Sequence, residues 1–121
     1  MCVGLFLAVH NTSIATFQIF AMTWTTVTTE PNALGESPFW HPQEKRLYWV
    51  DVPGKLLQRL DMASGVEKRR AMPREPGCIA PASGGGLVVA LRDGIYRAPV
   101  WGGDMALLAA APYDPATTRF N

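Results

Sequence analysis

Glu36 is the residue best placed for chemistry, because this single carboxylate interrupts the apolar and aromatic segment 34–40. Gly35 and Pro38 flank it in the sequence. Removing a carboxylate from water is costly unless the group is paired or bound to a cation. Two interpretations follow. Glu36 is a metal ligand or a general base, or it is a carboxylate on a solvent-facing strand edge.

His41 is a second candidate for acid–base chemistry, and it precedes Pro42. The sequence has no Gly-x-Ser-x-Gly nucleophile motif to accompany it. We therefore predict a histidine at the surface of a turn. Residues 84–86 are three glycines, but the Lys-Ser/Thr pair of a phosphate-binding loop does not follow them. This run predicts a flexible hairpin connection.

A small basic cluster, Lys68-Arg69-Arg70, lies between Glu67 and Glu75. The flanking carboxylates favour a solvated strand over a binding patch. Positive charge on such a strand also discourages pairing with another sheet edge. The cluster therefore predicts an exposed edge strand.

Composition narrows the class of protein. The chain has 121 residues, of which 48% are hydrophobic and 17% charged, a globular composition rather than a disordered one. Its formal charge of +1 argues against a nucleic-acid partner, because such proteins normally carry a basic stripe. Two cysteines and two histidines could form a structural zinc site only if all of them were used.

Residues 1–22 contain no charged side chain and differ from the rest of the sequence. Their apolar run is interrupted by polar residues and falls short of the ~20 residues that cross a membrane. An export signal, a membrane anchor and an extension outside the fold are the three interpretations. We expect the extension, with domain sequence following Met22, no membrane association and a cytoplasmic location. Export is the alternative if residues 1–22 act as a signal.

Turn signals recur about every 8–12 residues, and short runs of branched and aromatic residues separate them. This pattern predicts an all-β sandwich, barrel or propeller. Segment 104–111 has the composition of a helix, but it is short and precedes Pro112, so we predict a strand there. The turn signals are Pro53-Gly54, Ser64-Gly65, Pro76-Gly77, Gly84-Gly85-Gly86, Asp93-Gly94 and Gly102-Gly103.

An internal repeat favours one of these architectures. Segment 47–50 (Leu-Tyr-Trp-Val) and segment 87–90 (Leu-Val-Val-Ala) align at a shift of 40 residues. An extended piece ending in proline precedes each, and a polar turn with a second short strand follows. Units of four strands in about 40 residues have the size of a propeller blade. A simple series of hairpins is the alternative.

An ordered set of motifs is formed by segments 34–40, 47–51, 76–81, 86–91, 93–96 and 118–121. This set resembles the gluconolactonase, senescence-marker-protein and LRE-like family, which includes regucalcin. The resemblance covers about residues 31–121. It implies the first two blades, and the start of a third, of an incomplete six-bladed β-propeller. In the family, the final Arg-Phe-Asn continues into Asp-Gly.

Members of that family hydrolyse small sugar lactones with one divalent cation at the propeller axis. The resemblance implies Ca²⁺ as the first choice, with Zn²⁺, Mg²⁺ or Mn²⁺ as alternatives. It places Glu36 on the first metal ligand, and Arg119 and Asn121 on positions that contact substrate hydroxyls. The remaining ligands, including the expected aspartate base, correspond to positions after residue 121. No catalytic base is therefore expected among these residues, and we expect the 121-residue chain alone to be inactive.

Two other function classes stay open. One is a calcium-binding regulatory protein without important catalysis, and the other is a non-enzymatic interaction module built from propeller blades. Whichever function holds, uncovered blade edges predict self-association of the 121-residue chain.

Overall fold

A computed structural model describes residues 23–121, and the interpretations given for residues 1–22 lie outside them. The described residues form eight β-strands and no helix, which confirms the expected all-β class. No helix of this part of the chain could therefore span a membrane. The strands are β1 (Gly35–His41), β2 (Arg46–Asp51), β3 (Leu56–Asp61), β4 (Glu67–Ala71), β5 (Pro76–Pro81), β6 (Leu87–Leu91), β7 (Gly94–Ala98) and β8 (Ala106–Ala110).

The strands form two four-stranded antiparallel sheets, ordered β1-β2-β3-β4 and β5-β6-β7-β8. Neighbours in the sequence are neighbours in each sheet, so short turns make every connection within a sheet. The repeat at 40 residues is confirmed, because segments 47–50 and 87–90 lie in β2 and β6, the second strands of their sheets. Segment 104–111 contributes β8, as predicted.

The hydrophobic core lies between the two sheets, and β1 and β2 pack against β5. Val50 and Val89 are fully buried, from the first and second sheet respectively. Apolar residues at alternating positions of β2 and β6 supply this interface, as the two-residue period of a β-strand requires. β1 and β5, the first strands of the two sheets, therefore lie side by side and are the inner strands of this pair of sheets.

The basic cluster lies on β4, the edge strand of the first sheet, with Lys68 and Arg69 exposed. This confirms the predicted exposed edge strand. Arg70 differs from its neighbours because it is partly buried and donates to the carbonyl of Gly103, in the loop between β7 and β8.

Two local predictions are wrong. His41 is buried rather than at the surface, because its ring packs beside Phe39 and Tyr48. The pair Pro76-Gly77 is not a turn but begins β5, where Gly77 interrupts the regular pairing with β6. In both places a proline gives a local turn signal, whereas packing between strands decides the position of the residue.

Candidate functional site

Glu36 is the second residue of β1 and pairs with Val50 of β2. Its side chain is partly buried, and within residues 23–121 it makes no hydrogen bond or ion pair. The pairing of β1 with β2 shifts register between Glu36 and Phe39. Such β-bulges turn a strand locally and redirect the neighbouring side chain. The direction of the Glu36 side chain is therefore set by a bulge in β1 rather than by regular strand geometry.

Ser37 lies inside this bulge and has a φ of 54°, in the left-handed region that non-glycine residues seldom adopt. Its hydroxyl oxygen accepts a hydrogen bond from the backbone N–H of Ile79 at 3.1 Å. The same hydroxyl lies 3.3 Å from the Ile79 carbonyl oxygen, to which it donates. The side chain next to Glu36 therefore ties β1 to β5.

Asp51 fixes the backbone that precedes Glu36. Its carboxylate accepts hydrogen bonds from the backbone N–H groups of Ala33 and Leu34, both at 3.0 Å, and from Gly54 at 3.4 Å. Burial raises the pKa of Asp51, but the backbone donors at Leu34, Ala33 and Gly54 outweigh it, so the pKa lies below its ordinary value. Asp51 therefore stays ionised at neutral pH and holds the start of β1 in place.

Cys78 occupies the position in the second sheet that Glu36 occupies in the first. Glu36 pairs with Val50 and Cys78 pairs with Ala90, and those two partners are separated by the 40-residue repeat. Each lies next to a register shift in the innermost strand of its sheet. The irregularity follows Glu36 in β1 but precedes Cys78 in β5, and of these two equivalent positions only the first carries a carboxylate.

Segment 112–121, which carries Arg119 and Asn121, folds back on the second sheet. Arg92 donates to the carbonyl groups of Pro115 and Ala116, the latter at 3.3 Å. The Phe120 carbonyl carbon would lie 2.8 Å from a Cβ atom at Gly77. Only glycine therefore lets this segment approach β5 so closely.

Arg119 is partly buried and its Nη1 donates to the carbonyl of Phe120 at 3.1 Å, while Asn121 is exposed. No hydrogen bond or ion pair within the described residues joins either of them to Glu36. The structure instead places the three predicted site residues along adjacent segments: Glu36 on β1, and Arg119 and Asn121 on the chain packed against β5.

The donor type of Glu36 fits a hard divalent cation, which prefers carboxylate oxygens. One carboxylate is a single ligand, and residues 23–121 contain no cluster of three or more His, Cys, Asp or Glu side chains able to hold a metal. The residues present therefore match one ligand of such a site rather than a full set.

Sequence reasoning missed the supporting residues Ser37, Asp51 and Gly77. A signal existed for Asp51, because an aspartate directly before a Val-Pro-Gly turn commonly accepts backbone hydrogen bonds. No local signal marks Ser37, whose partner Ile79 is 42 positions away.

Repeated four-stranded antiparallel sheets, joined through their inner strands, define a protein of the β-propeller type. A family model described as the SMP-30/Gluconolactonase/LRE-like region matches residues 34–121. The chain belongs to this family.

The relatives support the assignment. The chain is 39% identical over 95 residues to a 6-deoxy-6-sulfogluconolactonase of Pseudomonas putida, covering 78% of this chain and 33% of that protein. It is 30% identical over 93 residues to a regucalcin of Danio rerio, covering 76% and 31% respectively. The chain thus spans about a third of the length of these relatives.

The fold has a counterpart among solved structures. The crystal structure of a calcium-binding protein, regucalcin, from Agrobacterium tumefaciens strain C58 aligns with a TM-score of 0.63 and 26% identity. The alignment covers 67% of this chain and 28% of that one. The similarity therefore extends to a protein described as calcium-binding.

Proposed function

We propose that the protein carrying this chain is a metal-dependent hydrolase of small sugar lactones. The observation that carries the proposal is Glu36, a carboxylate without a partner in the described residues, on the bulged inner strand of a lactonase-family chain. The relative from Pseudomonas putida is itself named as a lactonase, 6-deoxy-6-sulfogluconolactonase. Glu36 would hold one divalent cation together with ligands from outside residues 23–121.

The carboxylate of Glu36 suits the role of a ligand for a divalent cation. A bound divalent cation polarises a carbonyl oxygen and favours attack by water on the lactone carbonyl carbon. Glu36 supplies one negatively charged oxygen donor, and its strand fixes where that donor lies. Ca²⁺ is the first choice because it accepts oxygen ligands in flexible geometry, with Mg²⁺, Mn²⁺ and Zn²⁺ as alternatives.

Arg119 and Asn121 would orient the sugar. The guanidinium of Arg119 presents a rigid fork of donors to hydroxyl oxygens, and the Asn121 amide both donates and accepts. The contact of Phe120 with Gly77 and the anchoring of segment 112–121 by Arg92 would hold both side chains beside the inner strands.

The test is a lactonase assay on the full-length protein that carries this chain, after treatment with a chelator. We expect hydrolysis of an aldonolactone to be absent without metal and to return on addition of one of the four cations. Residues 1–121 alone, whose described part offers Glu36 as one carboxylate ligand, should bind the cation weakly and show no turnover. Metal-independent hydrolysis at the full rate would contradict the proposal.

A calcium-binding regulatory role is the second candidate, and the calcium-binding description of the Agrobacterium tumefaciens neighbour favours it. Tight Ca²⁺ binding without turnover of any lactone tested would support this role instead. The lactonase assay, combined with a Ca²⁺ titration of the same protein, therefore separates the two candidates.

Three further expectations belong to the proposal. The whole protein has six blades, residues 31–121 belong to the propeller, and the protein is cytoplasmic unless residues 1–22 export it. A fusion of residues 1–22 to a reporter enzyme, followed by fractionation of the cells, tests the location.

A further inference from the structure

Two arginines lie on the face of the first sheet that packs against the second. Arg59 of β3 pairs with Tyr48, and Arg70 of β4 pairs with Leu57. Residues directly opposite each other in a sheet share a face, and Tyr48 and Leu57 both belong to the core between the sheets. Both arginines therefore point into the interface, where apolar side chains are the usual occupants.

These arginines line a cavity of about 210 Å³ between the sheets, together with Glu44, Arg46 and Trp101. Three arginines and one glutamate give the lining an excess of two positive charges. The cavity lies at the end of β2 where Arg46 begins the strand, whereas Glu36 pairs with Val50 near the other end. It is thus separate from the candidate lactonase site.

The one acidic side chain of this lining is already engaged. Glu44 accepts hydrogen bonds from the Tyr48 hydroxyl and from Nη1 of Arg46, the latter at 3.3 Å. Arg59 lies 3.8 Å from the same carboxylate. Asp61 lies 3.7 Å from Arg46 as well, so the carboxylates gather at the Arg46 edge of the cavity. No carboxylate among the described residues pairs with Arg70, and that edge stays positive.

Arg59 and Arg70 have guanidinium N–H groups that form no hydrogen bond within the described residues. Nη1 of Arg70 is buried and has no hydrogen-bond partner among residues 23–121, although Nη2 donates to the Gly103 carbonyl. The Arg59 guanidinium lies 4.3 Å from the centre of the Trp101 ring, and its hydrogen bond to the Tyr48 hydroxyl is 3.4 Å long. A buried guanidinium donor without an acceptor is costly, so an acceptor is expected there.

We propose that this cavity binds a small oxyanion of the phosphate type, held between Arg59 and Arg70. Diagonal neighbours on adjacent strands are about 7–8 Å apart at the backbone, a spacing that two long arginine side chains can bridge through one tetrahedral anion. Guanidinium groups bind such oxygens in bidentate fashion. The anion is either free phosphate or the phosphate group of a phosphomonoester, because both present the same oxygens.

The test is calorimetric titration of the full chain with inorganic phosphate, at an ionic strength held constant with sodium chloride. We expect one binding event in the wild type, weakened about tenfold or more in Arg59→Met and in Arg70→Met. Arg74→Met is the matched control, since Arg74 is exposed and pairs with Asp93 outside the cavity. Glu44→Gln should bind phosphate more tightly, because it removes the negative charge from the lining.

A parallel titration with glycerol phosphate identifies the source of the anion. Tighter binding than phosphate indicates a phosphomonoester, and equal or weaker binding indicates free phosphate. No phosphate binding beyond the chloride background would overturn the proposal, as would an equal loss in Arg74→Met. If Arg70→Met does not fold, Arg59→Met and Glu44→Gln, with their opposite expected effects, decide the question.

Discussion

The hydroxyl of Ser37 bonds both backbone groups of Ile79, at 3.1 Å to the N–H and 3.3 Å to the carbonyl oxygen. Ile79 lies on β5, which among the described residues pairs with β6 on one side and with no strand on the other. A single side chain thus takes the place of strand pairing between the two sheets, directly beside Glu36.

Replacing Ser37 by alanine should destabilise the chain. Ser37→Ala keeps the positive φ but leaves the buried Ile79 backbone without its partner, which costs about 1–3 kcal/mol in unfolding free energy. Ser37→Gly loses the same hydrogen bonds but relieves about 1 kcal/mol of backbone strain, so its loss should be smaller. Urea unfolding of the two variants measures the difference. An unfolding free energy lower for Ser37→Gly than for Ser37→Ala contradicts this explanation.

Replacing Gly77 by alanine should displace segment 112–121. The added Cβ would meet the Phe120 backbone, which cannot rotate away as a flexible side chain can. We expect a loss of about 1–3 kcal/mol in unfolding free energy and faster proteolysis of that segment. Gly35→Ala is the control, because its nearest neighbour is the Asn32 side-chain nitrogen at 3.3 Å. Equal stability of the two variants would mean that the close approach is unimportant.

Glu36→Gln and Arg119→Lys should separate metal binding from substrate binding in the full-length protein. The first keeps the size of the side chain but removes its charge, so affinity for the divalent cation should fall about tenfold or more. The second keeps the charge but loses the planar fork, so kcat/KM should fall while metal affinity stays unchanged. Metal titration and steady-state kinetics give the two readouts. Glu30→Gln, at an exposed carboxylate, is the control, and wild-type behaviour of Glu36→Gln would disprove the ligand assignment.

Asp51 should make stability depend on acid pH. Its pKa is lower in the folded chain than its ordinary value, so folding favours the ionised form. The stabilisation is therefore complete above about pH 4 and is lost as the pH falls through the lower, folded pKa. Asp51→Asn should be about 1.5–3 kcal/mol less stable at pH 7, with the gap to wild type closing in acid. Denaturant unfolding across this range checks it, with the exposed Asp104→Asn as control; a gap that does not change with pH would contradict it.

The 121-residue chain should self-associate through β8. Leu107 and Leu108 are 55% and 59% exposed on this edge strand, and an exposed apolar edge favours pairing with another copy. Leu108→Lys should therefore shift the chain toward monomer in sedimentation experiments. Val100→Lys, at an exposed apolar residue outside the strands, is the matched control. A wild-type chain that is monomeric at high concentration would exclude this association.

Much of the fold could be predicted from the sequence, because its strands are local patterns bounded by turn residues. The repeat of 47–50 at 87–90 even identified equivalent strands, since pairing inside each sheet joins sequence neighbours. Local sequence patterns could not predict the contacts between the two sheets. The burial of His41 against Tyr48 and the approach of Phe120 to Gly77 depend on packing that local composition does not encode.

The sequence singles out Glu36 as a candidate site residue, but it does not reveal the residues that hold Glu36 in place. Glu36 stands out because an isolated carboxylate in an apolar segment is unusual, and its role as a metal ligand, implied by the family resemblance, stays a prediction. The bulge beside Glu36 could not be predicted, because Ser37 adopts a positive φ and bonds to Ile79, which is 42 positions away in the sequence.

The arrangement of the sheets also bears on how the chain acquires its structure during synthesis. Each sheet is made of one uninterrupted stretch, from Gly35 to Ala71 and from Pro76 to Ala110. Pairing inside a stretch requires the closure of short loops only, which carries a small entropic cost and favours rapid folding. The first sheet can therefore pair as soon as its last strand leaves the ribosome, and its apolar face then offers a template on which the second sheet assembles.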